Sequence, residues 1–335
     1  MKKIMGLIVS IVLLAGILAG CAGTPAGNNT GAPEDTPPAV QTSAPDPTQP
    51  VQASDNEEAW PRTIKDAAGY EVVLEAKPER ITMLHTYPLE FFLALDVKPT
   101  ATARANLLGE VADLSGSELY SPYVDGLDMM DLGSALEINL EAVLASDPDV
   151  IVTFAGHRGV DAIHEQLVAA APVVYIDYSA SWQDQLAFCA EIFGKEDEVD
   201  EIVSDIEGTI ADANKVLEQY SDRTLAFFRT DGKNFIALGG AAYYDTFKIT
   251  KPEGFPAENI SLEAVADMNP YYIVFQHNYE ASVAFVESMA SSSVWNALDA
   301  VKNGRVYYFD EEMNTFGPLT MRLAAEKLTE LYTNG

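Results

Sequence analysis

Cysteine is nearly absent from this 335-residue chain. Of the two present, Cys21 closes an N-terminal apolar run, so the folded part keeps Cys189 alone and no intramolecular disulfide is available to it. Cys189 falls at helical spacing with Leu186 and Phe193 and reads as a buried structural thiol. Basic residues are also scarce, with 20 Lys and Arg against 51 Asp and Glu. That balance repels a phosphate backbone and argues against nucleic acid as a partner; it suits solubility outside the cell. Several enzyme signatures are missing: Gly-x-Ser-x-Gly, a phosphate-binding Gly-rich Lys loop and Gly-x-Gly-x-x-Gly. His164-Glu165 opens a zinc-protease pattern, but Val168 stands where the second histidine belongs. The expectation is therefore a chain that is not an enzyme and has no intrinsic cofactor.

What is present is a repeat. Ile138-Asn-Leu140-Glu141-Ala142-Val143 returns as Ile260-Ser-Leu262-Glu263-Ala264-Val265. Pro148 and Pro270 follow at the same distance, and Ile151-Val152 match Ile273-Val274. Each copy reads as a short capped helix, a proline-marked turn and a buried strand. Two copies in one register imply two related lobes. Asn139 and Ser261 are good N-caps, and Glu141 and Glu263 suit the first turn of a helix.

The chain ends carry separate signals. Lys2-Lys3, an apolar run from Ile4 to Leu18 and small residues before Cys21 describe a secretory signal, and the run is short for a membrane span. Leu18-Ala19-Gly20-Cys21 resembles the bacterial lipoprotein signal. That resemblance makes residues 1–21 the signal segment, Cys21 the acylated residue, and the protein lipid-anchored on the outer face of the cell membrane. Residues 22–59 are rich in Pro, Thr, Ala, Gly and Gln and poor in large apolar side chains, so they read as a disordered stalk. Its mean reach is about 35 Å.

Residues 60–195 alternate strand and helix patterns and predict an α/β lobe with a mainly parallel sheet. Strands are expected at 80–84, 100–103, 150–154 and 173–176, behind a hairpin at 62–74. Helices are expected near 88–95, 139–145, 160–170 and 182–193. Residues 196–220 hold one Gly and no Pro, with an apolar stripe from Val199 to Tyr220 opposite an acidic face. This predicts a single long helix of about 37 Å joining the lobes. Residues 221–335 resume the α/β pattern as a second lobe.

Several segments in order now resemble one family. They are Pro78-Glu-Arg80-Ile81, Leu89-Glu90-x-x-Leu93-Ala94-Leu95, Leu132-Gly133 before Asn139-Leu-Glu141-Ala142, Asp147-Pro-Asp149-Val-Ile151, Ala171-Pro172-Val-Val-Tyr175 and Ala300-Val-Lys302-Asn-Gly304-Arg-Val306-Tyr307. This set is similar to the substrate-binding proteins of bacterial ABC importers for iron–siderophore complexes, haem and cobalamin. The resemblance implies two Rossmann-like α/β lobes joined by one long helix, with ligand in the cleft between them. It implies an ABC permease and its ATPase as partners, and a monomer tethered to the membrane. It also implies that Glu141 and Glu263 dock onto permease arginines.

Ligands of open α/β sheets sit beyond the carboxyl ends of strands. His85, His157 and His277 fall there, with Tyr87 and Tyr279 two residues beyond histidines. Arg104, Arg158 and Arg229 fall at strand ends as well. Arginine binds catecholate, carboxylate or propionate oxygens, while Tyr and His can ligate iron. The expected ligand is an iron chelate: a ferric siderophore first, haem as the alternative. Cobalamin fits less well, because Trp60, Trp182 and Trp295 miss clear cleft positions. A lipid-anchored sensor without transport is the remaining alternative. His164, inside an expected helix, reads as a surface residue.

Overall fold

A computed structural model describes residues 60–104, 114–123, 127–276, 278–309 and 311–335. The signal segment, Cys21, the stalk and His277 lie outside the described residues. Among the described residues, two five-stranded sheets carry the fold. The chain enters through an antiparallel hairpin, β1 (Arg62–Lys65) and β2 (Glu71–Leu74).

The first sheet follows the order β5-β4-β3-β6-β7. Its strands are β3 (Ile81–Met83), β4 (Ala101–Arg104), β5 (Met130–Ser134), β6 (Val150–Phe154) and β7 (Val173–Ile176), all paired in parallel. Strands β6 and β7 are short apolar runs because helices cover both faces of the sheet. The covering helices are α1 (Leu89–Ala94), α2 (Leu140–Ala145), α3 (His164–Val168) and α4 (Trp182–Phe193). Strand β5 is not apparent in the sequence, since Leu132 is its one buried residue. The helix expected over 160–170 divides into a 3-10 turn, Asp161–Ile163, and α3. Cys189 is fully buried in α4, and burial pushes its thiol well above the usual range.

The second sheet follows the order β10-β9-β8-β11-β12. Strands β8 (Leu225–Thr230), β11 (Tyr272–Gln276) and β12 (Val306–Phe309) are parallel, while β9 (Phe235–Ala237) and β10 (Asn259–Ile260) run antiparallel at one edge. Helices α6 (Ala242–Thr246), α7 (Leu262–Met268), α8 (Tyr279–Ser288), α9 (Ser293–Ala297) and α10 (Asp299–Lys302) flank it.

The two repeat copies occupy equivalent places. Strands β6 and β11 are each fourth in their sheet orders. Asn139 and Ser261 cap α2 and α7 by accepting the N–H of Ala142 and Ala264, both at 3.2 Å. Asp147 and Asn269 both take the left-handed backbone region immediately before the proline. Short polar side chains tolerate that region better than others do.

Helix α5 (Glu196–Leu217) joins the lobes and continues as a 3-10 turn, Glu218–Tyr220. At 1.5 Å per residue it runs about 33 Å. Val199, Ile202 and Val203 pack on the first-lobe core; Ile206, Ala213 and Leu217 belong to the second. A second element also crosses between lobes. Helix α11 (Pro318–Asn334) places Leu319 in the first-lobe core and Met321, Ala324 and Leu328 in the second. It pairs Arg322 with Asp205 on α5 and Lys327 with Glu118 of the first lobe.

The strongest polar tie is Glu90. It lies on α1 and is fully buried, yet it reaches the start of α11. Its carboxylate accepts the N–H of Gly317 at 3.0 Å and of Thr320 at 2.9 Å. Burial raises its pKa, and hydrogen bonds from Thr315, Thr320 and Gly317 oppose that rise. A side chain at Gly317 would meet the carboxyl carbon at 2.2 Å, so the close approach requires glycine. The first orphan N–H groups of α11 are therefore satisfied from the other lobe.

Candidate functional site

Parallel strands deliver their carboxyl ends to one edge of each sheet. In the first lobe, β3, β6 and β7 bring His85, Tyr87, Phe154, His157 and Tyr178 into one aromatic cluster. Phe154 stacks on His157 with ring centres 4.8 Å apart, and His85 meets both rings edge-on at 5.2 and 5.6 Å. Tyr87 lies 4.6 Å from Tyr178.

Hydrogen bonds decide what each group offers. His157 is buried, with Nδ1 against the Thr153 hydroxyl at 2.7 Å and Nε2 against the Ala135 carbonyl at 2.7 Å. A carbonyl only accepts, so Nε2 carries the proton and Nδ1 accepts from Thr153. Both nitrogens of His157 are thus occupied within the lobe. The Tyr87 N–H donates to His85 Nδ1 at 2.9 Å, which leaves His85 with its proton on Nε2. Burial, reinforced by His157, lowers the His85 pKa to about 4, so the ring is neutral and presents an N–H donor. The Tyr87 hydroxyl donates to Gln185 Oε1 at 2.6 Å, and burial holds it far above the tyrosinate range.

The remaining sequence candidates are more scattered. Arg158 is exposed beside His157. Arg229, half-buried on β8, bonds Asn314 Oδ1. Tyr279 is exposed at the start of α8, with its ring 5.5 Å from Tyr308. Arg104 ends β4, but its side chain lies outside the described residues, as does all of His277. His164 is not a free surface residue: Nδ1 meets the Tyr175 hydroxyl at 2.9 Å, and its ring stacks on Tyr70 at 4.5 Å.

Between the lobes lies a cavity of about 520 Å³. Tyr87 and Tyr178 from the first-lobe strand ends form one wall, with Trp182, Gln183 and Gln185 of α4 beside them. Glu207 and Asn214 on α5 form another, and Ala242, Thr315 and Phe316 close it from the second lobe. This volume is within the range that small-molecule sites occupy. Of the sequence candidates among the described residues, Tyr87 alone lines it. Tyr178 was within reach of the same strand-end reasoning, since it follows β7 by two residues. Glu207 and Asn214 carried no such signal, because they sit on the face of α5 that reads as solvated.

The repeated glutamates are not among the residues that line the cavity. Glu141 on α2 and Glu263 on α7 are both exposed in the first turn of their helices. Each helix leads through its proline turn into β6 or β11.

Residues 81–313 match the family described as periplasmic binding protein. The "Probable siderophore-binding lipoprotein YfiY" of Bacillus subtilis (strain 168) is 28% identical over 273 residues, covering 75% of this chain and 80% of that protein. The "Iron(3+)-hydroxamate-binding protein FhuD" of the same organism is 24% identical over 297 residues, covering 84% and 89%. Among solved structures, Staphylococcus aureus SirA complexed with staphyloferrin B shares the fold, with a TM-score of 0.62 at 20% identity, over 81% of this chain and 98% of that one. With two parallel-sheet lobes, a helical connection and a cavity between them, the chain belongs to the periplasmic binding protein family and is a substrate-binding protein, not an enzyme.

Proposed function

We propose that this chain is the lipid-anchored, extracytoplasmic binding component of an ABC importer, that it captures a ferric siderophore between its lobes, and that it hands the complex to a membrane permease driven by an ATPase. One observation supports the reading most: equivalent exposed glutamates, Glu141 and Glu263, on equivalent helices of two lobes that enclose a ligand-sized cavity. A permease reading both carboxylates together senses the distance between lobes. Cys21 is the acylated anchor, and residues 22–59 are the stalk. The named siderophore and ferric-hydroxamate relatives support an iron chelate as cargo. His157 has both nitrogens engaged and His85 presents a protonated nitrogen, so neither offers a lone pair to haem iron as hydrogen-bonded. A saturated chelate needs no such lone pair.

The test is to isolate the protein from iron-replete cells and identify retained ligand by mass spectrometry and absorbance. A broad charge-transfer band with a chelate mass is expected; a Soret band replaces the siderophore with haem. In the siderophore case, alanine at Arg104, Arg158 or Arg229 weakens binding by about 1.5–3 kcal/mol wherever the guanidinium reaches the chelate.

A further inference from the structure

Phe316 holds a backbone conformation that its side chain does not favour. Six described residues other than glycine have positive φ, and four of them are Asp or Asn, whose short polar side chains tolerate that region. Phe316, at φ 56°, is the sole aromatic residue among them. A bulky side chain there is a backbone outlier, and such strain gathers at ligand clamps. The neighbouring Gly317 does not take the left-handed step; its φ is −89°. That glycine is committed instead to the close approach of Glu90.

The chain is tied on both sides of Phe316. Before it, the Met313 carbonyl accepts from Gln276 Nε2 at 2.9 Å and from the Tyr243 hydroxyl, and Asn314 Oδ1 accepts from Arg229. After it, the N–H groups of Gly317 and Thr320 donate to Glu90 at 3.0 and 2.9 Å. The Phe316 ring packs on Tyr243 with ring centres 4.9 Å apart, and the residue also lines the interlobe cavity. It is only half-buried, so packing on Tyr243 does not use the whole side chain. The first lobe lines the same cavity with Tyr87, Tyr178 and Trp182. Glu90 follows Tyr87 by three residues, so one carboxylate ties the segment that bears Phe316 to the segment that bears Tyr87.

We propose that Phe316 is the second lobe's aromatic contact for the cargo and that Glu90 is the positioning residue that holds it ready. Glycine or asparagine at 316 would satisfy the backbone alone; phenylalanine adds a ring at the cavity wall. A cargo seated between the lobes meets that ring at little ordering cost, because the backbone is fixed before binding. This deepens the proposed function and rests on it.

The full chain in mild detergent is titrated with ferric desferrioxamine B, ferric enterobactin and ferric citrate by quenching of tryptophan fluorescence. The tightest of the three is the probe for every variant. Phe316→Ala and Phe316→Gly should bind it at least about tenfold more weakly, and Phe316→Tyr within about threefold of the unaltered chain. Without ligand, Phe316→Gly should melt above Phe316→Ala, since glycine takes positive φ freely. Glu90→Gln should weaken binding by about threefold or more in the unaltered chain but not in the Phe316→Ala background, because it acts through the ring. A merely structural Glu90 would weaken binding in both, and that result overturns its positioning role. Unchanged affinity of Phe316→Ala or Phe316→Gly overturns the contact and leaves the siderophore function standing. A melt of Phe316→Gly no higher than that of Phe316→Ala overturns the strain. Failure of all three chelates to bind the unaltered chain overturns both the inference and the function it rests on.

Discussion

The two repeat copies are alike at one end and unlike at the other. Toward the exposed helices they match: an N-cap, a glutamate in the first turn, and a left-handed residue before proline. Just past the proline they diverge. Asp149 accepts the N–H groups of Glu79 and Arg80 and pairs with the Arg80 guanidinium at 2.5 Å. Its counterpart Tyr271 is instead covered by Arg305, 3.7 Å from the ring centre. Beyond the strands nothing is shared. β6 ends in the His157–Phe154 stack, whereas β11 leads to Asn278, a left-handed N-cap of α8. The proposed function accounts for the difference by two tasks: an end that meets one common partner keeps its surface in both lobes. An end that surrounds a ligand takes different residues from each.

The sharpest way to break the comparison is to remove both common charges. Glu141→Ala with Glu263→Ala should abolish iron uptake in cells, at about 2–5 kcal/mol per lost pair where the pair is buried against the permease. Chelate affinity of the purified double variant should be unchanged. Weakened binding there would put the glutamates in the cleft and end the division of tasks.

A comparable effect belongs to the tie that neither copy supplies. Glu90→Ala strips α11 of its acceptors and should cost about 1–3 kcal/mol in denaturant unfolding for each N–H left unpaired. Gly317→Ala forces a methyl group into the same carboxylate and should destabilise similarly. Combined, the two substitutions should cost clearly less than their sum, since each removes the other's reason. Additive costs would show that the contact does not couple the lobes.

Acid should act on the first-lobe copy through His85. Its folded pKa, about 4, lies below its unfolded value of 6.5. The unfolded chain therefore binds more protons between those values, and stability falls as pH drops through that window. The loss should approach about 3 kcal/mol at pH 4. His85→Phe should flatten the unfolding midpoint over that range, and an unchanged slope would contradict the buried, neutral state of His85.

The smallest effect tests equivalence of the caps. Asn139→Ala and Ser261→Ala should each cost about 1 kcal/mol, and about equally. A large inequality in their melting shifts would mean that one helix is held by packing rather than by its cap.

Much of this was legible because local chemistry and period carry it. The repeat, the strands at 150–154 and 173–176, the helix at 182–193 and the long acidic helix all follow from apolar spacing and capping residues within a few turns of chain. The same local reasoning led to His85, Tyr87 and His157, since strand ends point at the cleft in any parallel sheet. Tertiary structure decided what those residues offer: the Ala135 carbonyl, 22 residues away, takes His157 Nε2, and Gln185, 98 residues away, binds the Tyr87 hydroxyl. It also decided that α11 ties the lobes, because Glu90 and Gly317 are 227 residues apart. Periodicity reports which face of a helix is apolar. It cannot report that the polar face of α5 closes a cavity, because that depends on where the other lobe folds back against it.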